Sequence, residues 1–445
     1  MTETMTAGLL ARIEKRDYAV GIVGLGYVGI PLALTACRAG FRVIGFDIDA
    51  PRVAQINAGE CVISHIPTDA MAEAAANERF EATTDFTRLG EADAILIAVP
   101  TPLSKQREPD LSFVERTADE IAARLRPGQL VVLESTTWPG TTAEVLLPRL
   151  ERSGLKSGRD FFLAFSPERE DPGNRDFATS SIPKVVGADE PQALQLALAL
   201  YGALVTTVVP VSSAATAEAV KLTENIFRSV NIALVNELKL IYDKMGIDVW
   251  EVIEAAKTKP FGFMPFYPGP GLGGHCVPID PFYLTWKARE FDVTTRFVEL
   301  AGQINTMMPH YVVDRLAEAL DRTSGRGLKD AEILVIGLAY KKNIEDTRES
   351  PSLRLIDILD KRGAQVSYHD PFVPVIGRIR AHPALAGRAS VDLTPESLGR
   401  FDAVLIATDH DTVDYPALAR HSRLVVDTRN ALAKAGVTGG NVVKA

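Results

Sequence analysis

The sequence lacks the features that mark several classes of protein. It has three cysteines, at positions 37, 61 and 276, which are too few and too far apart for a disulfide framework or a zinc site. It has no basic run, and its net charge of −9 argues against a nucleic-acid or anionic-membrane partner. We find no apolar segment of membrane-spanning length and no signal peptide. We therefore expect a cytoplasmic protein without a metal site.

The length and the composition set the scale of the fold. A chain of 445 residues is too long for one hydrophobic core and predicts two or three domains. The hydrophobic fraction of 46% and the charged fraction of 24% are those of an ordinary globular protein.

The first motif joins a short apolar run at 18–23 to Gly24-Leu-Gly26-Tyr-Val-Gly29 and a helical pattern. This order predicts a strand, a glycine turn and a helix that bind a dinucleotide. Gly24 would allow the tight turn, Gly26 the approach of the pyrophosphate, and Gly29 the packing of the helix on the sheet. The next strand, 41–46, ends at Asp47, which would bind the ribose hydroxyls and repel a 2′-phosphate. NAD is therefore favoured over NADP.

Polar residues follow later strands of the same predicted sheet. Thr101 and Thr136 come after apolar runs, where open α/β sheets bind their ligands. An equally good interpretation is that they cap the following helices. Glu168, after the strand at 161–165, is a candidate general base, or else a solvated loop acid.

A long helix without proline or glycine is predicted from 216 to 245. Its second half is apolar around much of its circumference, so we expect it to form a spine between domains and a dimer interface. Lys221 and Asn225 are four residues apart and share a face. Together they could stabilise an oxyanion, although spacing alone favours a solvent-facing pair.

The stretch 268–281, PGPGLGGHCVPIDP, is the densest cluster of glycine and proline in the chain and must be a loop. Cys276 lies within it, beside His275 and four residues before Asp280. A thiol on a stiff, glycine-lined loop near a carboxylate is typical of an activated nucleophile. The alternative is a small buried hydrophobic residue.

The last third repeats the βαβ pattern after a hinge at 325–330, but without the GxGxxG spacing. It predicts a nucleotide site that is not for a dinucleotide. Lys341, Arg348 and Arg429 lie just beyond predicted strand ends and suit phosphates, although each alone could be a surface charge. We thus predict an α/β fold with two Rossmann-like, doubly wound parallel-sheet domains, joined by a long central helix and a small helical domain. The predicted boundaries are 1–212, 213–325 and 326–445.

These motifs, in this order, resemble the UDP-glucose and GDP-mannose dehydrogenase family over nearly the whole chain. The matching stretches are 24–29 with Pro31, 99–102, 166–168, 221–225, 273–280, 341–350 and 427–430. The cysteine loop and 259–267 are most similar to the UDP-N-acetylglucosamine 6-dehydrogenases, and the UDP-N-acetylmannosamine enzymes share several of these elements. One departure is that 260–274 lacks the arginine that many members have there.

The resemblance implies a four-electron oxidation of the sugar C6 alcohol with two NAD and one water. Cys276 would form a thiohemiacetal and then a thioester, Lys221 and Asn225 would stabilise the oxyanion, and Asp280 would orient them or activate water. Glu168 would be the base and Thr136 would position water.

The resemblance also implies the ligand contacts and the assembly, a homodimer or a higher homo-oligomer. The implied NAD contacts are Gly24, Gly26, Tyr27, Val28, Gly29, Asp47, Arg52, Thr101, Thr136, Lys341 and Arg348. The implied contacts of the UDP-N-acetylhexosamine are Glu168, Arg169, Lys221, Asn225, Tyr267, Gly273, Gly274, His275, Tyr340, Lys341 and Arg429.

Two other classes of function remain open. A two-electron 3-hydroxyacid or 6-phosphogluconate-type dehydrogenase also pairs an NAD domain with a helical domain and a lysine, but needs no cysteine loop. An NAD-binding sensor or scaffold would bind NAD without turnover.

Overall fold

The computed structural model describes residues 2–60, 62–63, 66, 68–77, 79–104, 108–170, 180–274, 277–379 and 381–445. The chain divides into two compact units. The first comprises Met1–Glu224 and Phe282–Thr294, and the second comprises Asn225–Pro281 and Thr295–Ala445. No helix among the described residues is long and apolar enough to cross a membrane.

The described part of the first unit is built on a sheet of eight strands in the order β3-β2-β1-β4-β5-β6-β7-β8. The strands are β1 (Ala19–Val23), β2 (Arg42–Phe46), β3 (Phe80–Thr83), β4 (Ala94–Ile97), β5 (Leu130–Leu133), β6 (Phe162–Phe165), β7 (Lys184–Gly187) and β8 (Val208–Val211). Neighbouring strands pair in parallel, except that β6 meets β7 through one antiparallel pair, Phe165 with Gly187. The order reverses between β1 and β4, which is where a doubly wound sheet binds its ligand.

Helices cover this sheet and bury its apolar strands. They are α1 (Thr2–Glu14), α2 (Gly29–Arg38), α3 (Ala50–Asn57), α4 (Thr68–Ala76), α5 (Ser112–Ala122), α6 (Leu147–Leu150) and α7 (Pro191–Leu204). Because both faces are covered, β1, β4, β5 and β6 read as continuous apolar runs. Helix α7 continues to Leu204, and the last strand of this sheet, β8, begins at Val208.

Three helices follow in the chain. They are α8 (Ala214–Met245), α9 (Val249–Ala256) and α10 (Asp280–Ala288). The predicted long helix is therefore confirmed as α8. The boundary between the two units falls inside it, after Glu224.

The second unit contains a five-stranded parallel sheet in the order β10-β9-β11-β12-β13 within the described residues. Its strands are β9 (Glu332–Ile336), β10 (Gln365–His369), β11 (Ala403–Ile406), β12 (Val425–Asp427) and β13 (Val442–Lys444). Its further helices are α11 (Arg296–Ser324), α12 (Pro351–Lys361), α13 (Pro395–Arg400), α14 (Tyr415–His421) and α15 (Ala431–Lys434). The predicted fold class, with two Rossmann-like sheets and a long central helix, is confirmed.

The two sheets repeat one local design with a different outcome. In each, the residue that follows the first glycine after the strand donates its N–H to an aspartate just beyond the neighbouring strand, Leu25 to Asp47 at 2.8 Å and Leu338 to Asp370 at 2.6 Å. Asp370 is buried and accepts a further hydrogen bond from His410 Nε2 at 3.0 Å. Asp370 thus makes its hydrogen bonds to groups within the protein, which agrees with the prediction that this half holds no dinucleotide.

Candidate active site

The three glycines of the first turn meet three different environments. Gly24 has φ +97°, and a methyl group there would lie 2.7 Å from the carbonyl oxygen of Ala98. At Gly29 a methyl group would lie 1.8 Å from the carbonyl oxygen of Gly24, so the helix can approach the strand only without a side chain. At Gly26 it would meet nothing within 4 Å. This open position fits the approach of a pyrophosphate.

The start of α2 is suited to bind phosphate. Val28 precedes the helix and provides no capping hydrogen bond, and the first turn carries no acidic side chain. The amino-terminal N–H groups and the helix dipole therefore favour an anion. Asp47 accepts hydrogen bonds from the N–H of Leu25 at 2.8 Å and of Asp49 at 3.0 Å, while Arg52 Nη1 lies 4.0 Å from its carboxylate. The turn and its acid together fit NAD.

Two threonines follow β4 and β5 as predicted. Thr101 is buried, and its carbonyl oxygen accepts a hydrogen bond from the hydroxyl of Tyr283 at 3.0 Å. Thr136 is partly exposed in the loop after β5. That loop is tied to α8 by Glu218, which accepts hydrogen bonds from the N–H of Gly140 at 2.5 Å and of Thr142 at 2.8 Å. Burial raises the pKa of Glu218 to about 7.

Glu168 and Lys221, predicted separately, lie together in the first unit. Lys221 Nζ donates to the carbonyl oxygen of Glu168 at 2.6 Å. The Glu168 carboxylate is itself held on both oxygens, by Lys184 Nζ at 2.8 Å and by the N–H groups of Arg169 and Glu170 at 2.7 Å each. Neither predicted residue is solvated, since the Glu168 side chain is 12% exposed and Lys221 is 9% exposed.

The charge of Glu168 is set by opposing effects. Burial by itself would raise its pKa, but the Lys184 ammonium and the backbone N–H groups outweigh burial and leave the pKa lowered. The carboxylate is therefore ionised at neutral pH. Arg169 has its own partners, the Glu224 carboxylate at 2.6 Å and the Pro183 carbonyl oxygen at 2.7 Å.

In the second unit, Asn225 Nδ2 donates to Asp280 Oδ2 at 2.5 Å. Asn225 is 5% exposed and Asp280 is also buried. The solvent-facing interpretation of Lys221 and Asn225 was therefore wrong. Because the two residues are one turn apart in α8, a single helix carries a buried ammonium and a buried amide.

The glycine loop is fitted closely to its surroundings. A methyl group at Gly273 would lie 2.6 Å from Tyr340 Cβ, and the N–H of Gly274 donates to the Arg348 carbonyl oxygen at 3.2 Å. His275 and Cys276 lie outside the described residues. The loop is thus fixed against 340–350 immediately before them.

Arg429 lies against the same loop. A methyl group at Gly269 would lie 2.6 Å from Arg429 Nη1. Arg429 Nε donates to the Ala407 carbonyl oxygen at 2.8 Å, and burial lowers the pKa of the guanidinium. A partly buried cation of this kind is suited to an anionic ligand.

Three other predicted contact residues have described surroundings in the second unit. The Arg348 guanidinium pairs with Asp346 at 2.6 Å, so its position is held by a neighbouring acid. Lys341 is partly buried. Tyr267 stacks on Trp250 with ring centroids 5.6 Å apart, and its hydroxyl donates to Glu254 at 2.8 Å.

Sequence reasoning missed three buried polar residues that hold these groups. Lys184 and Glu134 support Glu168 in the first unit. Asn236 accepts a hydrogen bond from the N–H of Gly269 at 3.1 Å, and so fixes the glycine loop to α8. For two of these residues the sequence holds a signal. Glu134 directly follows the apolar run LVVL, and Lys184 directly precedes the apolar residues of KVVG.

The glycine turn, the helix terminus and Asp47 define an NAD-dependent oxidoreductase. The chain belongs to the UDP-glucose/GDP-mannose dehydrogenase family. The family's NAD binding domain matches residues 18–205, its central domain 215–307 and its UDP binding domain 334–434. NAD is thus the cofactor, and a UDP-sugar binding domain is present.

The related enzymes are named after different sugars. The chain is 36% identical over 397 residues to UDP-N-acetyl-D-glucosamine 6-dehydrogenase of Pseudomonas aeruginosa, covering 89% of this chain and 91% of that one. It is 36% identical over 425 residues to NDP-N-acetyl-D-galactosaminuronic acid dehydrogenase of Ralstonia nicotianae, covering 92% and 95%. A solved structure of the UDP-D-ManNAc dehydrogenase of Pyrococcus horikoshii superposes with a TM-score of 0.85 at 33% identity, covering 96% and 98%.

Proposed function

We propose that this chain oxidises C6 of UDP-N-acetyl-D-glucosamine to the carboxylate, with two NAD and one water. The observation that carries the proposal is the buried hydrogen bond between Asn225 and Asp280, because Asp280 follows Cys276 by four residues. The similarity of 259–281 to the N-acetylglucosamine branch and the Pseudomonas relative support the choice of sugar. We further propose domain boundaries at 212 and 325.

NAD, when bound, accepts one hydride in each of the two oxidations. The balanced reaction converts one alcohol, two NAD⁺ and one water into one carboxylate, two NADH and three protons. Cys276 serves the second oxidation, because the remaining C–H hydrogen of the aldehyde can leave as hydride only after a nucleophile has added to the carbonyl carbon. The thiolate adds to the aldehyde, the thiohemiacetal is oxidised to a thioester, and water releases the acid.

Lys221 and Asn225 supply the charge and the dipole for the oxyanion. Their burial strengthens both interactions, since little water competes in a low-dielectric site. Asp280 accepts from the Asn225 amide and so fixes which way the amide points. In this proposal Glu168 accepts a proton from the substrate or from water, and Thr136 positions the water.

The nucleotide end of the substrate would be bound in the second unit. Arg429 and Lys341 are its cations, and the close packing of Gly273 on Tyr340 brings main-chain N–H groups to a fixed position. Arg429 lies against Gly269, in the loop that carries the nucleophile. A phosphate bound to Arg429 would therefore influence the position of the loop and of Cys276 within it.

The test is NADH production, at a fixed enzyme concentration, from four UDP-sugars side by side. They are UDP-N-acetylglucosamine, UDP-N-acetylmannosamine, UDP-N-acetylgalactosamine and UDP-glucose. We expect UDP-N-acetylglucosamine to have the highest kcat/KM. Turnover of UDP-N-acetylmannosamine alone would assign the chain to the second candidate, which the Pyrococcus structure favours. NAD binding without turnover of any sugar would contradict the proposal and favour a sensor.

A further inference from the structure

A buried cation joins two acids in the first unit, and the proposed reaction gives it no role. Lys184 Nζ lies 2.7 Å from Glu134 Oε2 and 2.8 Å from Glu168 Oε2. The side-chain exposures are 6% for Lys184, 0% for Glu134 and 12% for Glu168. The Tyr201 hydroxyl donates to the other oxygen of Glu134 at 2.5 Å.

The two acids differ in what else holds them. Glu134 is completely enclosed and bonded to Tyr201, so it forms a rigid anchor at the end of β5. Glu168 lies in the loop after β6, and its carbonyl oxygen accepts the hydrogen bond from Lys221. Lys184, at the start of β7, therefore links a fixed point of the sheet to the residue that contacts Lys221.

Burial and the neighbouring charges have opposite effects on the pKa values of Lys184 and Glu134. Burial alone would lower the pKa of Lys184, but the two glutamates outweigh it and leave the pKa raised. For Glu134, burial outweighs the effect of Lys184 and leaves the pKa raised. The charged and titratable groups that act on Glu168 are the cations Lys184 and Lys221, the Glu134 carboxylate and the Tyr201 hydroxyl, together with the N–H groups of Arg169 and Glu170.

Stability alone is a weak reason for such an arrangement. Replacing a buried ion pair with apolar residues of similar volume is often neutral or stabilising. Here the cation joins the acid that supports Lys221, which is placed to bind the oxyanion.

We propose that Lys184 is a positioning residue for the oxidation: it holds the Glu168 carboxylate in one orientation, and through the Glu168 backbone it fixes the Lys221 ammonium. This inference rests on the proposed function, because it assigns Glu168 and Lys221 to the reaction. Lys184 itself contacts neither substrate nor NAD in this account.

The test is the pH profile of kcat/KM for Lys184→Gln, Lys184→Arg and a matched control. Lys287 is the control, since it is also 6% exposed and also joins two glutamates, Glu144 at 2.6 Å and Glu290 at 2.7 Å. Without the Lys184 ammonium, burial raises the pKa of Glu168, so we expect the acid limb to move up by about 1 pH unit or more. Lys184→Arg keeps the cation and should keep the limb in place, as should Lys287→Gln.

A second variant keeps the test valid if Lys184→Gln does not fold. In Glu134→Gln/Lys184→Gln one cation and one carboxylate are removed together, so the buried charge stays balanced. The limb should still move up, but by less than in Lys184→Gln, because the Glu134 carboxylate no longer raises the pKa of Glu168. A wild-type acid limb in either folded variant would overturn the proposal, as would an equal shift in Lys287→Gln. Failure of both variants to fold would assign Lys184 to stability instead. A wild-type enzyme that oxidises no UDP-sugar would overturn the proposed function as well, which separates the two failures.

Discussion

A substitution at Gly26 should affect ligand binding without affecting the stability of the fold. A methyl group there would meet no protein atom within 4 Å, yet it would occupy the space through which the pyrophosphate approaches the backbone. We expect Gly26→Ala to leave the melting temperature unchanged and to weaken NAD binding by about tenfold or more, roughly 1.4 kcal/mol. Isothermal titration with NAD and thermal unfolding measure the two quantities.

The control for this substitution is Gly202→Ala in α7, where a methyl group also meets nothing within 4 Å. Because alanine favours a helix over glycine by about 0.5–1 kcal/mol, this variant should be slightly more stable and should bind NAD normally. Equal NAD affinity in Gly26→Ala and the wild type would contradict the assignment of the turn.

Residue identities could be predicted from the sequence where a motif prescribes them, but their surroundings could not. Burial of Lys221 was not predictable, since spacing places a residue on a helix face without saying what covers the face. Lys184 is the polar first residue of a strand, and the two acids that surround it follow the ends of β5 and β6 and lie 50 and 16 residues away in the chain. Cys37 is buried in the core of the first unit, and this burial raises the pKa of its thiol to about 12.

At the scale of elements, the glycine loop depends on the absence of a side chain at Gly273. A methyl group would lie 2.6 Å from Tyr340 Cβ and 2.9 Å from Pro351 Cδ, so the loop would have to move. Because a displacement of about 1 Å can cost a hundredfold in rate, we expect Gly273→Ala to lower kcat by about that factor. Gly377→Ala, where a methyl group meets nothing within 4 Å, should have wild-type kcat. Steady-state kinetics of the folded variants test this, and an unchanged kcat for Gly273→Ala would contradict it.

Helix α1 is anchored to the first sheet by one buried carboxylate. Asp93 accepts two hydrogen bonds from Arg12, at 2.9 and 2.7 Å, and one from Arg126 at 2.7 Å. Burial would raise the pKa of Asp93, but these arginines outweigh it and leave the pKa lowered. Its contribution to stability is therefore present above the ordinary aspartate pKa of about 4 and is lost as the pH falls through the lower folded value.

We expect Asp93→Asn to be less stable than the wild type by about 2 kcal/mol at pH 7. The difference should shrink as the pH falls below about 4, where the unfolded wild-type chain takes up a proton at Asp93, and should approach zero below the lower folded pKa, where the native carboxyl is neutral as well. Denaturant unfolding at several pH values measures it, with the exposed Asp17→Asn as the control. A difference that is the same at pH 3 and pH 7 would contradict the role of the charge.

Strands were predictable where the sequence has a continuous apolar run. The strands expected at 18–23, 41–46 and 161–165 are present, each beginning one residue later than predicted and ending at the predicted residue. Helix α1 was missed because the mixed charge of the segment hides the apolar spacing of Met5, Leu9 and Ile13, which pack with the core of the first unit. Helix α11 contains Pro309, a residue type that usually ends or kinks a helix, and continues to Ser324.

At the scale of the whole molecule, α8 exposes a regular apolar stripe. Phe227, Leu234 and Ile241 recur every seven residues and are about half exposed, Leu234 to 50%. A seven-residue apolar repeat is the pattern of helix pairing, which supports our prediction of a homodimer. We expect Leu234→Asp to shift the protein toward monomer, as measured by sedimentation velocity. Val375→Asp changes a similarly exposed apolar residue outside α8 and should not. A wild-type monomer would contradict the prediction.

We propose that one chain performs both oxidations, and the number of NADH formed per sugar distinguishes this from a single oxidation. With UDP-N-acetylglucosamine limiting and NAD in excess, we predict two NADH and one carboxylate per sugar consumed. We also predict that Cys276→Ser fails to complete the second oxidation. One NADH per sugar in the wild type, or full carboxylate production by Cys276→Ser, would contradict the account.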